Sequence, residues 1–286
     1  MLDPAPFTGS PPRLPSGAPL PRLIACDMDG TLLDPDGRVS ERTAAALRAA
    51  RARGAHVVLA TGRPIRTSVP IASELGIGDT VVAYNGAAML WRGEFKLVRE
   101  LDTLAATGAL ARMRAFAPDA SLALETADGW FLEPATGVDA VRPTGKLAHL
   151  YRGGPPLAVG PLEAFFGGGL IKLNVVHEEL HPSRLAAELA GLDLVGMWSL
   201  PFLLEVHDRQ VDKSVALAWL CDELGIAPGE VAAFGDQQND SGMLAWAGVG
   251  VAMGNAEREA LEVADVLGPP NSEDGLAQVV ESWLRA

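Results

Sequence analysis

Cysteine is almost missing from this chain of 286 residues, which carries only Cys26 and Cys221. Two thiols cannot build a disulfide framework, and nothing in the sequence supports a bridge between them, so reduced thiols and a cytoplasmic location are expected. Basic residues are scarce as well: 23 Lys and Arg stand against 36 Asp and Glu, for a formal net charge of −13. A field of that sign repels DNA, RNA and anionic membrane surfaces, so neither nucleic acid nor membrane is an expected partner. It also repels phosphorylated ligands at long range, so any site for them needs local cations. No apolar run is long enough to span a bilayer. The first twenty residues lack the basic start and unbroken apolar stretch of a signal peptide. They are crowded instead with Pro4, Pro6, Pro11, Pro12, Pro15 and Pro19, and residues 1–20 are expected to be a disordered leader with no core to join.

What is present is a substantial hydrophobic fraction, 48%, enough for one large domain or two moderate ones. From Leu23 strands alternate with helices. Leu23–Asp27 reads as a buried strand, and Ser40 as the N-cap of an Ala- and Arg-rich helix that stops at Gly54. His56–Ala60 is a second strand, Pro64 suits the first turn of the next helix, and Thr80–Tyr84 is a third strand closed by the turn pair Asn85-Gly86. Residues 87–206 have another texture, with hairpin-like segments at Ala88–Trp91, Gly129–Leu132 and Leu170–Val176 and helical patterns between them. After Lys213 the first texture returns, through a strand at Val231–Phe234 and another at Gly248–Ala252 to a terminal helix over Ser272–Leu284. Short connections between alternating elements argue for a doubly wound parallel sheet, a Rossmann-like α/β core. That core is expected over residues 21–86 and 207–286, interrupted by an α+β insertion at 87–206.

The residues able to carry chemistry fall at the C-terminal ends of those strands or just beyond, where open α/β sheets place their ligands. Asp27 and Asp29 stand two apart in Asp27-Met28-Asp29-Gly30-Thr31, a pattern suited to holding a divalent cation while one carboxylate attacks phosphorus, though it also occurs in calcium loops and ordinary turns. Thr61-Gly62-Arg63, Lys213, and Asp236 with Asn239 and Asp240 complete the set. Mg²⁺ takes oxygen ligands, so two or three carboxylates plus a substrate phosphate make a site for it. A hydroxyl, an ammonium and an amide supply donors to the remaining phosphate oxygens. Each residue has a plainer reading: Asp29 and Thr61 as caps, Lys213 as a surface lysine, Asp240 as a helix N-cap, Asn85 as a turn residue, Arg63 as the partner of an acidic neighbour.

With these residues in place, the chain resembles the haloacid dehalogenase-like hydrolases, in particular their type IIB (Cof-like) branch. The resemblance rests on Asp-Met-Asp-Gly-Thr-Leu-Leu from Asp27, Ala-Thr-Gly-Arg from Ala60, Asn85-Gly86-Ala87, Lys213 and Gly-Asp-Gln-Gln-Asn-Asp from Gly235. Val-Ala-Met-Gly-Asn-Ala from Val251 and Asn271-Ser-Glu-Asp-Gly275 extend it, and Ser214 departs from the glycine usual after the lysine. The resemblance implies a Mg²⁺-dependent phosphatase acting on small phosphorylated metabolites, sugar phosphates above all, through an aspartyl-phosphate. A phosphotransferase or mutase on the same core and a non-catalytic phosphometabolite-binding protein are the rivals. It further implies that Asp27 is the nucleophile and Asp29 the acid and base. The cation would be held by Asp27, Asp29 through its backbone carbonyl, and Asp236, with Asp240 as a further or water-mediated ligand. Thr61, Lys213 and Asn239 would hold phosphoryl oxygens, with Gly62 beside them in the substrate-binding set, while Asn85 and Arg63 would support the site or meet the leaving group. The insertion becomes a cap, in which Trp130, His177 and Glu205 are candidates for choosing the substrate. The expected assembly is a monomer or weak homodimer.

Two signals are declined. His177-Glu178-Glu179-Leu180-His181 matches a zinc-protease pattern, but that chemistry needs both histidines on one helix face. Here a β-like run precedes and Pro182 opens the next helix, so a loop is expected. Gly167-Gly168-Gly169 has no following Gly-Lys-Ser/Thr and reads as a flexible turn rather than a phosphate cradle.

Overall fold

The structure, a computed structural model, describes residues 18–141 and 144–285. Of the leader expected over residues 1–20, residues 1–17 lie outside the described residues. Ala18 and Leu20 pack against the hydrophobic core, which corrects the expectation that this segment has no core to join.

The first sheet has eight strands and is centred on β1 (Leu23–Cys26). On one side β1 pairs in parallel with β2 (His56–Ala60), which pairs with β3 (Val81–Ala83). The sheet continues there, now antiparallel, through the hairpin of β4 (Ala88–Trp91) and β5 (Glu94–Leu97). The hairpin was expected within the insertion; its pairing with β3 corrects this and makes it the edge of the first sheet. The helices on this side are α1 (Glu41–Ala52), capped at Ser40, whose Oγ accepts the Thr43 N–H at 3.0 Å, and α2 (Ile65–Glu74).

The second sheet has six strands and is covered by α3 (Thr103–Phe116). Its central strands are β6 (Ser121–Thr126) and β9 (Leu170–Val176). β7 (Gly129–Glu133) and the short β8 (Ala158–Val159) lie beyond β6. β10 (Leu194–Leu200), reached through α4 (Pro182–Ala186), and β11 (Leu203–Asp208) lie beyond β9. Strand side chains alternate between faces. Leu122, Leu124, Leu173, Val175, Leu204 and Val206 therefore form one apolar face, packed on Leu110 and Met113 of α3. Glu125, Lys172, Asn174 and Glu205 point to the other face and are buried there, toward the first sheet's loops.

The chain then returns to the first sheet through α5 (Lys213–Leu224) to β12 (Val231–Gly235), which pairs in parallel with β1 on the side opposite β2. α6 (Ser241–Trp246), β13 (Val249–Ala252), α7 (Arg258–Leu261), β14 (Val266–Leu267) and α8 (Gly275–Leu284) complete it. The terminal helix begins at Gly275 rather than Ser272, because Asp274 takes a left-handed conformation (φ 56°) that interrupts the turn before it. Helices cover both faces. Ile24 and Cys26 face Leu47, Val279 and Trp283 of α1 and α8. Leu23 and Ala25 face Leu217, Leu220, Met243 and Leu244 of α5 and α6. Burial on both sides explains why β1 reads as an unbroken apolar run. The progression from β1 to β2 and β3 runs one way and that from β12 to β13 and β14 the other, so the order reverses between β1 and β12. A crevice opens at the carboxyl ends of strands at such a reversal.

Candidate active site

Asp27 follows the last residue of β1, and its N–H donates to the Phe234 carbonyl of β12 at 2.9 Å. The chain then turns back, with the Leu33 N–H on the Met28 carbonyl at 2.9 Å and Gly30 at φ +82°. A Cβ on Gly30 would lie 2.1 Å from Asp236 Oδ2, so only glycine lets the loops after β1 and β12 close together. The Thr31 hydroxyl donates to Asp236 Oδ1 at 2.7 Å and locks this approach.

Lys213, the first residue of α5, is wholly buried, and its Nζ donates to Asp27 Oδ1 and to Asp240 Oδ1, each at 2.6 Å. Asp212 before it caps the helix by accepting the Ser214 N–H at 2.8 Å, so a side chain holds the turn where Ser214 replaces the usual glycine. Asp240 Oδ2 accepts the Asp236 and Gln237 N–H groups at 2.9 and 3.0 Å. Asp240 thus organises the loop after β12 and makes no side-chain bond as a helix cap.

One carboxylate oxygen from each of Asp27, Asp236 and Asp240 lies within 4.8 Å of the others. Two unit charges at that distance repel by roughly 3–4 kcal/mol at an effective dielectric of about 20. A single ammonium cannot neutralise three such groups. Burial accordingly pushes the Asp27 carboxyl well above the usual range; Lys213 opposes this, while Asp240, Asp236 and Asp29 reinforce it. Burial and then Asp240 push Asp236 up to about 7 against the Thr31 hydrogen bond and Lys213. Burial by itself would lower the Lys213 ammonium, but Asp240 and Asp27 overcompensate and hold it raised.

Asp29 differs from these three. Its side chain is about half exposed (47%) and both its oxygens accept from Arg63, from Nε at 2.6 Å and Nη2 at 2.5 Å. The loop after β2 is fixed by the Arg63 N–H on Thr61 Oγ1 at 3.1 Å. Asn85 sits at φ 57° and is fully buried; its Nδ2 donates to Glu205 Oε2 at 3.2 Å and its Oδ1 accepts from Asn239 Nδ2 at 2.9 Å. A Cβ on the next residue, Gly86, would lie 2.3 Å from the Asp212 carbonyl oxygen, which brings the β3 loop against the start of α5.

All ten residues singled out from the sequence therefore meet at one end of the first sheet, in two tiers. Asp27, Asp29, Thr61, Gly62, Arg63 and Asn239 line a cleft of about 240 Å³ between the two sheets, whereas Asn85, Lys213, Asp236 and Asp240 stand behind it. Of the three cap candidates only Glu205 reaches the cleft. Trp130 packs edge-on against Tyr151, and its indole N–H donates to the Gly154 carbonyl at 3.3 Å. His177 Nδ1 accepts the Glu179 and Leu180 N–H groups, and its Nε2 faces Asp119 at 3.1 Å. The two histidines of the declined zinc pattern have different partners, His181 Nδ1 accepting the Ser183 N–H at the start of α4.

The reading of the sequence missed the cleft's other charged residues. Lys172 of β9 donates to Glu205 and, at 3.1 Å, to the Gly62 carbonyl. Arg66 of α2 grips Glu125 of β6 through two hydrogen bonds of 2.7 and 2.8 Å. The available signal was charge inside apolar strands, Leu170-Ile-Lys-Leu-Asn-Val-Val and Ser121-Leu-Ala-Leu-Glu.

The fold and this cluster of three aspartates, two of them bonded to one buried lysine, point to a hydrolase class. The family profile described as haloacid dehalogenase-like hydrolase matches residues 24–280. The chain belongs to that family. It is 31% identical to a 5-amino-6-(5-phospho-D-ribitylamino)uracil phosphatase of Bacillus subtilis, over 92% of this chain and 96% of that protein. It is 33% identical to the HMP-PP phosphatase of Serratia proteamaculans, over 93% of this chain and 96% of that one. A crystal structure of a haloacid dehalogenase-like hydrolase from Bacteroides thetaiotaomicron superimposes with a TM-score of 0.72 at 28% identity, over 91% of this chain and 98% of that one.

Proposed function

We propose that the chain is a Mg²⁺-dependent phosphatase of small phosphorylated metabolites, with sugar phosphates as the main substrates and Asp27 as the group that is transiently phosphorylated. It is a phosphoric monoester hydrolase, and its second sheet forms the cap over the cleft, placing this enzyme in the type IIB branch. The observation that carries the reading is the position of Asp27: at the strand-order reversal, facing the cleft, and held by the buried Lys213.

The donor set suits a hard dication. Asp27, Asp236 and Asp240 offer only oxygen, Asp27 and Asp236 are pushed toward protonation by burial and then by the neighbouring carboxylates, and Lys213 alone leaves negative charge in excess. Asp27 and Asp236 would hold Mg²⁺, together with the Asp29 backbone carbonyl. Asp240, whose oxygens are engaged by Lys213 and the loop N–H groups, would act behind them. The cation, when bound, neutralises the repulsion between carboxylate and dianionic phosphate and polarises the phosphoryl oxygens.

In the first step an Asp27 oxygen bonds to phosphorus as the bond from phosphorus to the leaving oxygen breaks, and Asp29 gives that oxygen its proton. In the second, Asp29 takes a proton from water, the water oxygen bonds to phosphorus, and the bond to Asp27 breaks to release phosphate and restore the carboxylate. Asp29 must leave its two-bonded grip on Arg63 to give the first proton, so Arg63 sets the carboxyl's resting position. Lys213, Thr61 and Asn239 hold the phosphoryl oxygens. Lys172 on Gly62, Arg66 on Glu125 and Asn85 on Glu205 hold the cap's polar face over the cleft and exclude water. No helix among the described residues is long and apolar enough to cross a membrane, and both thiols are buried and free, in keeping with a cytoplasmic enzyme.

The test is phosphate release from a metabolite panel with Mg²⁺ or with chelator, using Asp27→Asn and Asp27→Ala as controls. Turnover that needs Mg²⁺ and is abolished in both variants is expected. Wild-type turnover by Asp27→Ala would refute the assignment of the nucleophile, and transfer of phosphate to an added sugar instead of water would favour a phosphotransferase.

A further inference from the structure

The cap's polar face contains one group whose chemistry the catalytic steps do not use. Asn174 lies in the middle of β9, between Ala123 of β6 and Glu205 of β11. It is 2% exposed and lines the cleft, and its Oδ1 has no hydrogen-bond partner among the described residues. Its direction follows from the strand: Lys172, two residues earlier on the same face, reaches the Gly62 carbonyl of the catalytic loop. Asparagine is a poor strand former, and a buried acceptor left without a donor is destabilising. The main core of the second sheet lies on the opposite face. On Asn174's own face its neighbour Ala123 joins a small apolar cluster with Trp130 and Leu132, so packing there would be served equally by an apolar side chain.

The charged groups around Asn174 are matched. Lys172 is paired with Glu205, Arg66 with Glu125, and Arg63 with Asp29. Burial and the neighbouring Arg152, which stands exposed at the rim, lower the pKa of His149 and favour its neutral ring. The buried lining therefore presents no uncompensated charge to the part of a substrate that lies beyond its phosphate. The remaining lining is largely apolar, with Leu150, Leu200, Phe202 and Leu203.

Resting on the proposed phosphatase reading, we infer that Asn174 is a specificity-determining residue, whose carboxamide hydrogen-bonds an uncharged hydroxyl of the leaving group. A hydroxyl both donates and accepts, so it pairs with either end of a carboxamide. An apolar leaving group would keep Oδ1 unpaired, and an anionic one would meet its acceptor. A site built to bond a hydroxyl rejects the analogue that lacks it more strongly than an apolar pocket rejects an added one.

The test compares kcat/KM of the full-length wild type, Asn174→Ala and Asn174→Asp on ribose 5-phosphate, glucose 6-phosphate, glucosamine 6-phosphate and phenyl phosphate, with Mg²⁺ present. Asn174→Ala should lose roughly tenfold on the sugar phosphates and less than about twofold on phenyl phosphate. Asn174→Asp, nearly isosteric and adding a negative charge, should raise the preference for glucosamine 6-phosphate over glucose 6-phosphate by roughly tenfold. Ratios that stay at the wild-type value in both variants overturn the inference, as does a wild type that hydrolyses phenyl phosphate but neither neutral sugar phosphate. Asp27→Asn, assayed alongside, separates the two claims: if it retains turnover the catalytic reading fails, whereas if it is inactive and the Asn174 ratios do not move, only the present inference fails.

Discussion

The three-carboxylate cluster makes the metal-free protein less stable as pH rises, opposite to the trend of most salt-bridged acids. Asp236 titrates at about 7 in the fold, against an ordinary value of 3.8. Between these pH values the native state keeps a proton that the unfolded chain has released. Rising pH then favours the unfolded state, so the free energy of unfolding decreases from about pH 4 and levels off above about pH 7. The displacement corresponds to roughly 4 kcal/mol for this one carboxyl, and Asp27, also held high, acts in the same direction. For a chain of this size 1 kcal/mol moves Tm by about 2–4 °C, so the loss is on the order of 10 °C. The assay is thermal melting in chelator from pH 4.5 to 8, with Asp236→Asn beside the wild type to subtract the titrations that do not involve this carboxyl. The difference between the two Tm curves should close or invert as pH rises through the window. Mg²⁺ at about 100 times its Kd should restore about 2.7 kcal/mol at pH 8 and little at pH 5, where the ligands are protonated. A difference curve that is flat, or that rises in favour of the wild type in chelator, would refute the reasoning.

Other outcomes follow from single contacts. Lys213→Met removes the cation bonded to Asp27 and Asp240, so kcat for phosphate release should fall about 10²–10³-fold. The acid limb of its pH profile should move up, because Lys213 holds the Asp27 pKa down. Gly30→Ala drives a methyl to 2.1 Å from Asp236 Oδ2 at a φ of +82°; it should cost about 1–3 kcal/mol in denaturant titration and raise the Mg²⁺ concentration needed for turnover. Glu125→Gln leaves Arg66 without its carboxylate across the two sheets. About 2–3 kcal/mol of stability should go with it, as read by urea unfolding, discounted from a fully buried pair because Arg66 keeps some solvent.

The candidate site was legible because its residues are tied to local geometry. Gly30 and Gly86 mark places where another loop's atoms arrive within van der Waals reach, and each stands beside a chemical residue in the sequence. The strands ahead of Asp27, Thr61 and Asp236 are short, apolar and buried on both faces, so period and punctuation alone expose them. Arg63 and Asp240 were left with two readings each, and the structure ties both to specific partners: Arg63 pairs with Asp29, and Asp240 binds Lys213 and two loop N–H groups. The cap was harder. Trp130 and His177 stand out by residue type yet serve packing and a turn, while Lys172, Asn174 and Glu125 look like ordinary strand polars. The hairpin of β4 and β5 was misplaced because an antiparallel edge pairs by backbone, whose partner strand no side-chain pattern reveals.

By itself the sequence determined the alternation of strands and helices in the first sheet, the loops at its carboxyl ends and the identity of the acids, the lysine and the glycines placed there. Those are local properties, set by periodicity, turn chemistry and the kinds of side chain a strand end can carry. Only the tertiary structure decided that Lys213 joins Asp27 to Asp240 across 186 and 27 residues of chain. It alone decided that Asp29 rests on Arg63, and that β9 and β11 turn their polar face to the cleft with Asn174 Oδ1 unpaired among the described residues. These depend on which of two faces a sheet presents to the other sheet, and that is settled by the burial of the opposite, apolar face against α3.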